Sequence, residues 1–530
     1  MMIQTAGIGR EKIFLSIISG IALTMGFPLV GFSYAAWFAL IFLLFAIRNI
    51  SVRNSFILGV LTGMVHFATL LYWLIGTMNI YGYLSLWLSG IIFILLVFYL
   101  SLYVAAFAGL VSLFCSGSFF ALFLIPVFWV CLEYIRSFAF TGFPWGLIGY
   151  TQYDHLNLIQ ISDIFGVYGV SFVIALANAV IFFTLLYVKK EKWHGRHMDA
   201  RRTAASFLMM LSVFSLIMIY GNARLKSADT MMAESEKLNV AVIQGNIEQA
   251  VKWDLKFRTD TIEKYIRLSE QANKDHPDLI VWPETATPFY FKYNIEMTKM
   301  VLQAIQAMET HFVVGSPTVE FMEPLDHYYN SAYLVTPDGD IAARNDKVHL
   351  VPFGEYVPLK KWLPFINHIV AQVGEFKAGK KGDTLKWGPA DIGVLICYEI
   401  IFPELASEIV ANNAGLLINI TNDAWFGKTS APYQHFSMAV FRAVENRRSL
   451  IRAANTGISG FIDPAGRVLK QSALFEEDAM TCSVPVIKNQ TTFYNRHGNL
   501  LVLGCFIVLA IIIMIKLAGQ VFRKKVEGGR

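Results

Sequence analysis

The stretch VLICYEIIFPE, residues 394–404, begins as an apolar run and breaks off in a thiol, Cys397, and a carboxylate, Glu399. Aliphatic and β-branched residues at 394–396 suit a strand buried on both faces, the kind found in sheets covered by helices. A cysteine there is most often a small hydrophobe. The Cys-Tyr-Glu ending, with Pro403 and Glu404 close behind, asks for a second reading. In layered α/β domains the reactive groups sit where strands end and loops begin.

The flanking sequence supports such a domain. NVAVIQGN (239–246), LIVWPE (279–284), HFVVGSP (311–317), IGVLICYE (392–399), LLINITND (416–423) and SGFIDPAGRVLK (459–470) read as short strands. NSAYLVTPDGDIAARNDK (330–347) reads as a hairpin turning at Asp338-Gly339. Helical patterns fit 257–274, 294–308, 401–412 and 432–448. Strands alternating with helices predict an α/β layered domain over 223–497, its central strands covered on both faces.

The rest of the chain is of another kind. Of 530 residues, 55% are hydrophobic and only 16% charged, with mean hydropathy +0.49. Soluble domains carry about 25% charged residues, so much of this chain belongs in a membrane. Between Arg53 and Glu133 there is no Asp, Glu, Lys or Arg. A hydrocarbon core about 30 Å thick needs roughly 20 apolar residues as helix. Ile13–Ile47 is too long for one span, and Pro28, Gly31 and Ser33 divide it in two. Further spans are expected near 56–77, 84–112, 119–135, 165–188 and 204–221, with an eighth near 499–515. The expected organisation is a membrane domain of seven helices over 1–222, an extramembrane domain over 223–497, and an eighth helix with a basic tail over 498–530.

Lys and Arg mark the side on which helix ends stay. Arg10 and Lys12, Arg48 and Arg53, KKEKWHGRHMDARR (189–202) and RKK (523–525) all fall on one side of an eight-helix count. Both termini are then expected in the cytoplasm, with 223–497 on the outer face. The net charge of +5 follows this topology and implies no nucleic-acid partner. His66, Glu133 and Arg136 are the ionisable residues within or beside spans, too few for a transport path. The loop TGFPWGLIGYTQYDHLN (141–157) reads as an aromatic interfacial belt or as a lid.

Three residues at strand ends or loops carry chemistry. Glu284 follows Pro283, which cannot donate to a ladder; Lys347 lies just past the hairpin; Cys397 ends its strand. Singly, each has an ordinary explanation: solvated Glu and Lys, a packed Cys. Together they form a set, because a thiol is a nucleophile only as thiolate and needs a base. Glu284 is a candidate base. Lys347 and the Tyr398 backbone N–H are candidate stabilisers of a tetrahedral oxyanion. A histidine base, His349 or His435, is the papain-like alternative. The five cysteines show no CxxC spacing, and pairing of Cys397 with Cys482 is disfavoured because MTCSVPV (480–486) reads as a packed strand.

The order WPE, a lysine before VPFGEYVP (351–358), then CYE resembles the Glu-Lys-Cys set of the nitrilase superfamily. More narrowly, GFPWGLIGYTQ (142–152), IQGNIEQAVKWD (243–254), VWPETATP (281–288), LICYEIIFPE (395–404) and NITNDAWFG (419–427) resemble the apolipoprotein N-acyltransferase family over nearly the whole chain. Ser449, in ENRRSLIRAANTG, departs from an expected proline at a position without catalytic weight. The resemblance implies a polytopic helical membrane domain of about eight helices with an inserted nitrilase-like αββα sandwich. It implies a bacterial inner-membrane acyltransferase with its catalytic domain on the periplasmic side. Cys397 would form a thioester with a phospholipid acyl chain, Glu284 act as base, and Lys347 support the oxyanion. Glu355 would position the lysine or the incoming amine of a diacylglyceryl-modified lipoprotein, in a ping-pong sequence. Trp253, Tyr398, Glu399 and Trp425 occupy positions the family links to substrate.

A phospholipid donor, an apolipoprotein acceptor and the bilayer are thus the expected partners of a monomer. No metal ligand set, phosphate loop or nucleotide signature stands in the sequence, so no cofactor is expected. A membrane-tethered amidase acting on a soluble C–N substrate would use the same residues and differs in its acyl donor. A transporter with an outer sensing domain would not need the thiol.

Overall fold

The computed structural model describes residues 8–115, 120–323, 325–356 and 375–527. It falls into two compact units. One holds the chain up to Tyr72, Gly90–Gly221 and the segment from Asn499; the other holds Trp73–Ser89 and Asn222–Gly498.

The first unit is helical: α1 Arg10–Met25, α2 Ala36–Ala46, α3 Val52–Leu70, α4 Leu86–Phe114, α5 Ala121–Phe138, α6 Ser162–Val188, α7 Ala200–Glu234 and, at the end of the chain, Leu500–Glu527. Every expected span overlaps one of these helices; residue 119, where one was to start, lies outside the described residues. Among the described residues, five helices are long and apolar enough to cross a membrane, and six if Val52–Leu70 and Trp73–Tyr81 count as one broken span. The first two are shorter than a bilayer needs, at 16 and 11 residues. The break between them runs over residues 26–35, with Gly31 at φ 68°. The span expected over 56–77 stops at Leu70, and the chain resumes as a short helix at Trp73. No proline or glycine stands at 71–72 to announce that interruption.

The basic segments gather at one end of this unit. Lys12 Nζ donates to the carbonyls of Ala46 and Arg48 at 3.0 and 2.9 Å. Arg48 pairs with Glu191. The Trp193 indole donates to the Cys115 carbonyl, and Lys516 donates to the Leu113 carbonyl at 2.7 Å. The side chains of the basic run 523–525 lie outside the described residues. The loop at 141–157 is neither belt nor lid at its centre. Trp145, Leu147, Ile148 and Tyr150 are buried. Glu133 accepts the Ile148 N–H at 2.8 Å, and Arg136 donates to the Phe143 and Trp145 carbonyls at 2.9 and 2.5 Å. The two intramembrane charges therefore hold a loop.

The second unit is a sandwich of two sheets between helices. Its strands are β1 Lys237–Gln244, β2 Leu279–Val281, β3 His311–Glu320, β4 His327–Val335, β5 Ile341–Asp346, β6 Ile392–Ile396, β7 Leu416–Thr421, β8 Leu450–Ala454, β9 Gly460–Ile462, β10 Val468–Gln471 and β11 Asp478–Pro485. One sheet has the order β11-β1-β2-β3-β4-β5, the other β10-β9-β8-β7-β6. The pairs β1–β2, β2–β3, β6–β7 and β7–β8 are parallel. Strand alternation separates the layers. Val240, Val242, Leu279, Val281, Val394, Ile396, Ile418 and Ile420 share the core between the sheets. Ala241, Ile243, Ile280 and Phe312 turn instead toward α8 (Arg258–Asn273) and α9 (Ile295–Met308). Helices α10 (Pro403–Ala411) and α11 (Ala431–Asn446) cover the other sheet. The hairpin expected at Asp338-Gly339 is β4–β5, with Gly339 at φ 83°. The result is an αββα sandwich with the carboxyl ends of its parallel strands, β2 and β6, carrying Glu284 and Cys397.

Candidate active site

β6 ends at Ile396, and the chain enters a single 3₁₀ turn, Cys397–Ile401, that leads into α10. Cys397 takes the left-handed conformation, φ 56°. That is costly for a residue with a Cβ and clusters at functional sites. The corner lifts the thiol out of the strand ladder while leaving it 8% exposed.

Glu284 reaches the same place from the other sheet. β2 ends at Val281, three residues before it and earlier than the run LIVWPE suggests, because Trp282 turns into the core and Pro283 has no N–H to pair. Gly315 of β3 lets this turn pass: a Cβ there would stand 2.1 Å from the Pro283 carbonyl oxygen and 2.9 Å from the Glu284 Cα. Lys347 follows β5 by one residue, and its backbone N–H bonds to the Asn330 carbonyl at 2.8 Å.

The side chains form one buried ionic cluster. Lys347 Nζ lies 2.9 Å from Glu355 Oε1 and 3.6 Å from Glu284 Oε1, and the lysine side chain is 1% exposed. Asn330, which the sequence reading passes over, donates one N–H₂ group to both carboxylates, at 2.8 and 3.0 Å. Glu355 Oε2 accepts the Val351 N–H at 2.8 Å. The last two residues of VPFGEYVP, Val357 and Pro358, lie outside the described residues. Burial works against the Lys347 charge, but Glu355 and then Glu284 and Cys397 outweigh it, so its pKa is raised and it stays an ammonium. The Cys397 thiol is pushed up by burial first and by Glu284 second, with Lys347 pulling the other way. At rest it is a thiol. Among the described residues, Glu284 Oε2 is buried without a hydrogen-bond partner, whereas Glu284 Oε1 and both Glu355 oxygens are taken.

The four residues expected to meet substrate divide. Glu399 is buried, and all its acceptor capacity that the structure shows goes to backbone. Oε1 accepts the Val348 and His349 N–H groups at 2.5 and 2.9 Å, and Oε2 accepts the Ile396 N–H at 2.7 Å. It ties the residue after Lys347 to the residue before Cys397. Tyr398 is partly exposed, its ring edge-on to Phe402 at 5.3 Å. Trp253 and Trp425 are 48% and 38% exposed. Trp425 is held by Tyr81, edge-on at 5.3 Å, and its carbonyl accepts the Thr77 hydroxyl at 2.8 Å.

Both histidines have partners of their own. His435 is fully buried, with Nδ1 3.0 Å from Asp423 and 2.9 Å from Arg452, and burial followed by Arg452 lowers its pKa. Asp423, Arg452 and Asn419 complete a polar layer beneath the strand ends. Asn419 donates to the carbonyls of Leu395 and Cys397, at 2.8 and 3.4 Å. The ring of His349 lies against Phe402, centroids 3.9 Å apart. Cys397 and Cys482 are both free thiols. Among the described residues no group of three His, Cys, Asp or Glu could hold a metal ion.

Relatives of known family match this chain over most of its length. The description "Apolipoprotein N-acyltransferase N-terminal domain" matches residues 19–180, and "Carbon-nitrogen hydrolase" matches 239–491. An apolipoprotein N-acyltransferase of Geobacter metallireducens is 42% identical over 98% of this chain and 96% of its own. The chain belongs to the apolipoprotein N-acyltransferase family. One of Pasteurella multocida is 31% identical over 95% of each chain. Among solved structures, a carbon-nitrogen hydrolase from Helicobacter pylori G27 is similar over 47% of this chain and 89% of that one, with 18% identity and a TM-score of 0.37. Membership joins the two units: a multi-pass membrane protein whose α/β unit is of the carbon-nitrogen hydrolase class.

Proposed function

We propose that this protein moves a fatty acyl chain from a phospholipid, through a thioester on Cys397, to the N-terminal amine of a diacylglyceryl-cysteine lipoprotein, the last step of lipoprotein maturation. The observation that carries the reading is the buried Lys347 between two carboxylates, one of which keeps an open oxygen.

In the first half-reaction the Cys397 Sγ–H proton passes to Glu284 as sulfur attacks the ester carbonyl. The carbonyl oxygen becomes an oxyanion, received by the Lys347 ammonium and the Tyr398 backbone N–H. When the C–O bond breaks, the proton on Glu284 goes to the leaving alkoxide, giving a lysophospholipid and an acyl thioester. In the second, the lipoprotein amine gives a proton to Glu284 and attacks the thioester. The C–S bond breaks, the amide forms, and the thiolate recovers its proton. Glu355 keeps Lys347 charged and in place. The exposed indoles of Trp253 and Trp425 offer apolar surface to acyl chains.

Both substrates carry long chains whose transfer to water costs about 0.8 kcal/mol per CH₂, so a domain anchored to spans avoids extracting them. The gathering of Lys12, Arg48 and the 189–197 segment at one end of the helical unit supports cytoplasmic termini in a bacterial inner membrane, with the catalytic unit periplasmic. Intact-protein mass spectrometry after incubation with a defined phospholipid tests the reading. An adduct of one acyl group, released by hydroxylamine and absent from Cys397→Ala, is expected. No adduct from phospholipid, with acylation from a soluble amide instead, would refute it.

A further inference from the structure

A further charged side chain lies among these groups, and no step of the scheme above uses it. Lys252 ends the short helix Gln249–Lys252, and its side chain runs inward until the residue is 1% exposed. Its Nζ donates to the Glu284 backbone carbonyl at 3.1 Å and meets the Thr285 hydroxyl at 2.6 Å. Among the described residues it makes no ion pair. A buried ammonium without a counter-ion is costly, so the contacts it makes are informative. Both belong to the turn that carries the proposed base. Thr285 takes a left-handed φ of 47°, a rare conformation for a β-branched residue. That turn is also pressed from behind by β3 at Gly315.

We propose that Lys252 is a positioning residue for the acyl-enzyme step: its amino group clamps the Glu284–Thr285 turn and so keeps the open oxygen of the Glu284 carboxylate on the Cys397 thiol. The inference rests on Glu284 being the base. The titratable groups that act on Lys252 are Glu284, from the end of β2, and Cys397, from the end of β6. On its own segment Glu248 and Asp254 are exposed. Burial lowers the Lys252 pKa to about 8, with Glu284 and then Cys397 opposing it. The clamp therefore carries its charge below about pH 8 and loses it above.

The test follows single-turnover release of lysophospholipid from phosphatidylethanolamine by the full-length protein in detergent. Lys252→Met is expected to slow release by about 30-fold, with half-saturating phospholipid changed by less than about twofold, as for a group that orients the reacting atoms without binding substrate. Lys252→Arg is expected to recover most of the rate and to move the alkaline decline above that of the parent, because a guanidinium stays charged. Thr285→Ala, which removes only one partner of the clamp, is expected to lose about fivefold. With Glu284→Gln inactive, a Lys252→Met rate within about twofold of the parent overturns the clamp and leaves the base intact. Should Glu284→Gln release lysophospholipid normally, the base assignment fails and takes the clamp with it. If thermal melting shows Lys252→Met to be unfolded, Thr285→Ala decides: an unchanged rate and pH profile overturns the proposal.

Discussion

Replacing Glu399 with glutamine should dismantle the site without touching a reacting atom. The side chain keeps its shape, and its carbonyl oxygen can still accept the Val348 and His349 N–H groups. The new N–H₂, however, faces the Ile396 N–H, which now has a carboxylate oxygen at 2.7 Å. Bonds to a charged acceptor are worth about 1.5–3 kcal/mol and neutral ones about 0.5–1.5, so the two retained bonds weaken by roughly 1 kcal/mol each. The orphaned N–H adds about 1–3 kcal/mol. A total near 3–5 kcal/mol corresponds to at least about 10²-fold in the population of the assembled arrangement. Since Val348 follows Lys347 and Ile396 precedes Cys397, the loss appears where ammonium and thiol must meet. Acyl-adduct formation by mass spectrometry is therefore expected to fall at least about 10²-fold. The pH dependence has two parts. Burial raises the Glu399 carboxyl from 4.5 to about 7, against the pull of its backbone donors. The folded chain thus binds more protons than the unfolded one between those values, and this group's contribution to stability declines as pH rises through the window. The three bonds need the ionised form, so acylation should gain an acid limb near pH 7. Adduct formation by Glu399→Gln within about threefold of the parent would refute the account.

Two further outcomes follow from the site's geometry. Because burial and Glu284 hold the Cys397 thiol above its ordinary range, alkylation by iodoacetamide should keep rising through pH 9, about tenfold per unit; a plateau near pH 7 would mean a preformed thiolate. Gly315→Ala would place a Cβ 2.1 Å from the Pro283 carbonyl. Overpacking of this kind costs about 1–3 kcal/mol, so a lower melting temperature and slower acylation are expected, and unchanged values of both would show that the turn carrying Glu284 can give way.

Much of this was legible in one dimension. The charge-free run from Arg53 to Glu133 could only be membrane. The alternating strands and helices of 223–497 could only be a layered α/β unit, and the turn at Asp338-Gly339 was marked by its residues. Glu284, Lys347, Glu355 and Cys397 were legible as a resemblance. Lys252, Asn330 and the Asp423–His435–Arg452 layer were not. A lysine beside a tryptophan, or an asparagine in a strand, reads as surface until its burial is known. Glu399 is read as a substrate contact only through the resemblance, which links its position to substrate.

What the sequence determined by itself was periodicity, hydropathy and the placing of charge, since these are properties of consecutive residues and set which segments bury which face. The tertiary structure decided which oxygen of which carboxylate remains open. That depends on groups far apart in the chain, 284 with 330, 347 with 355 and 348 with 399, converging in a space that excludes water, where each hydrogen bond made or withheld fixes a proton's position.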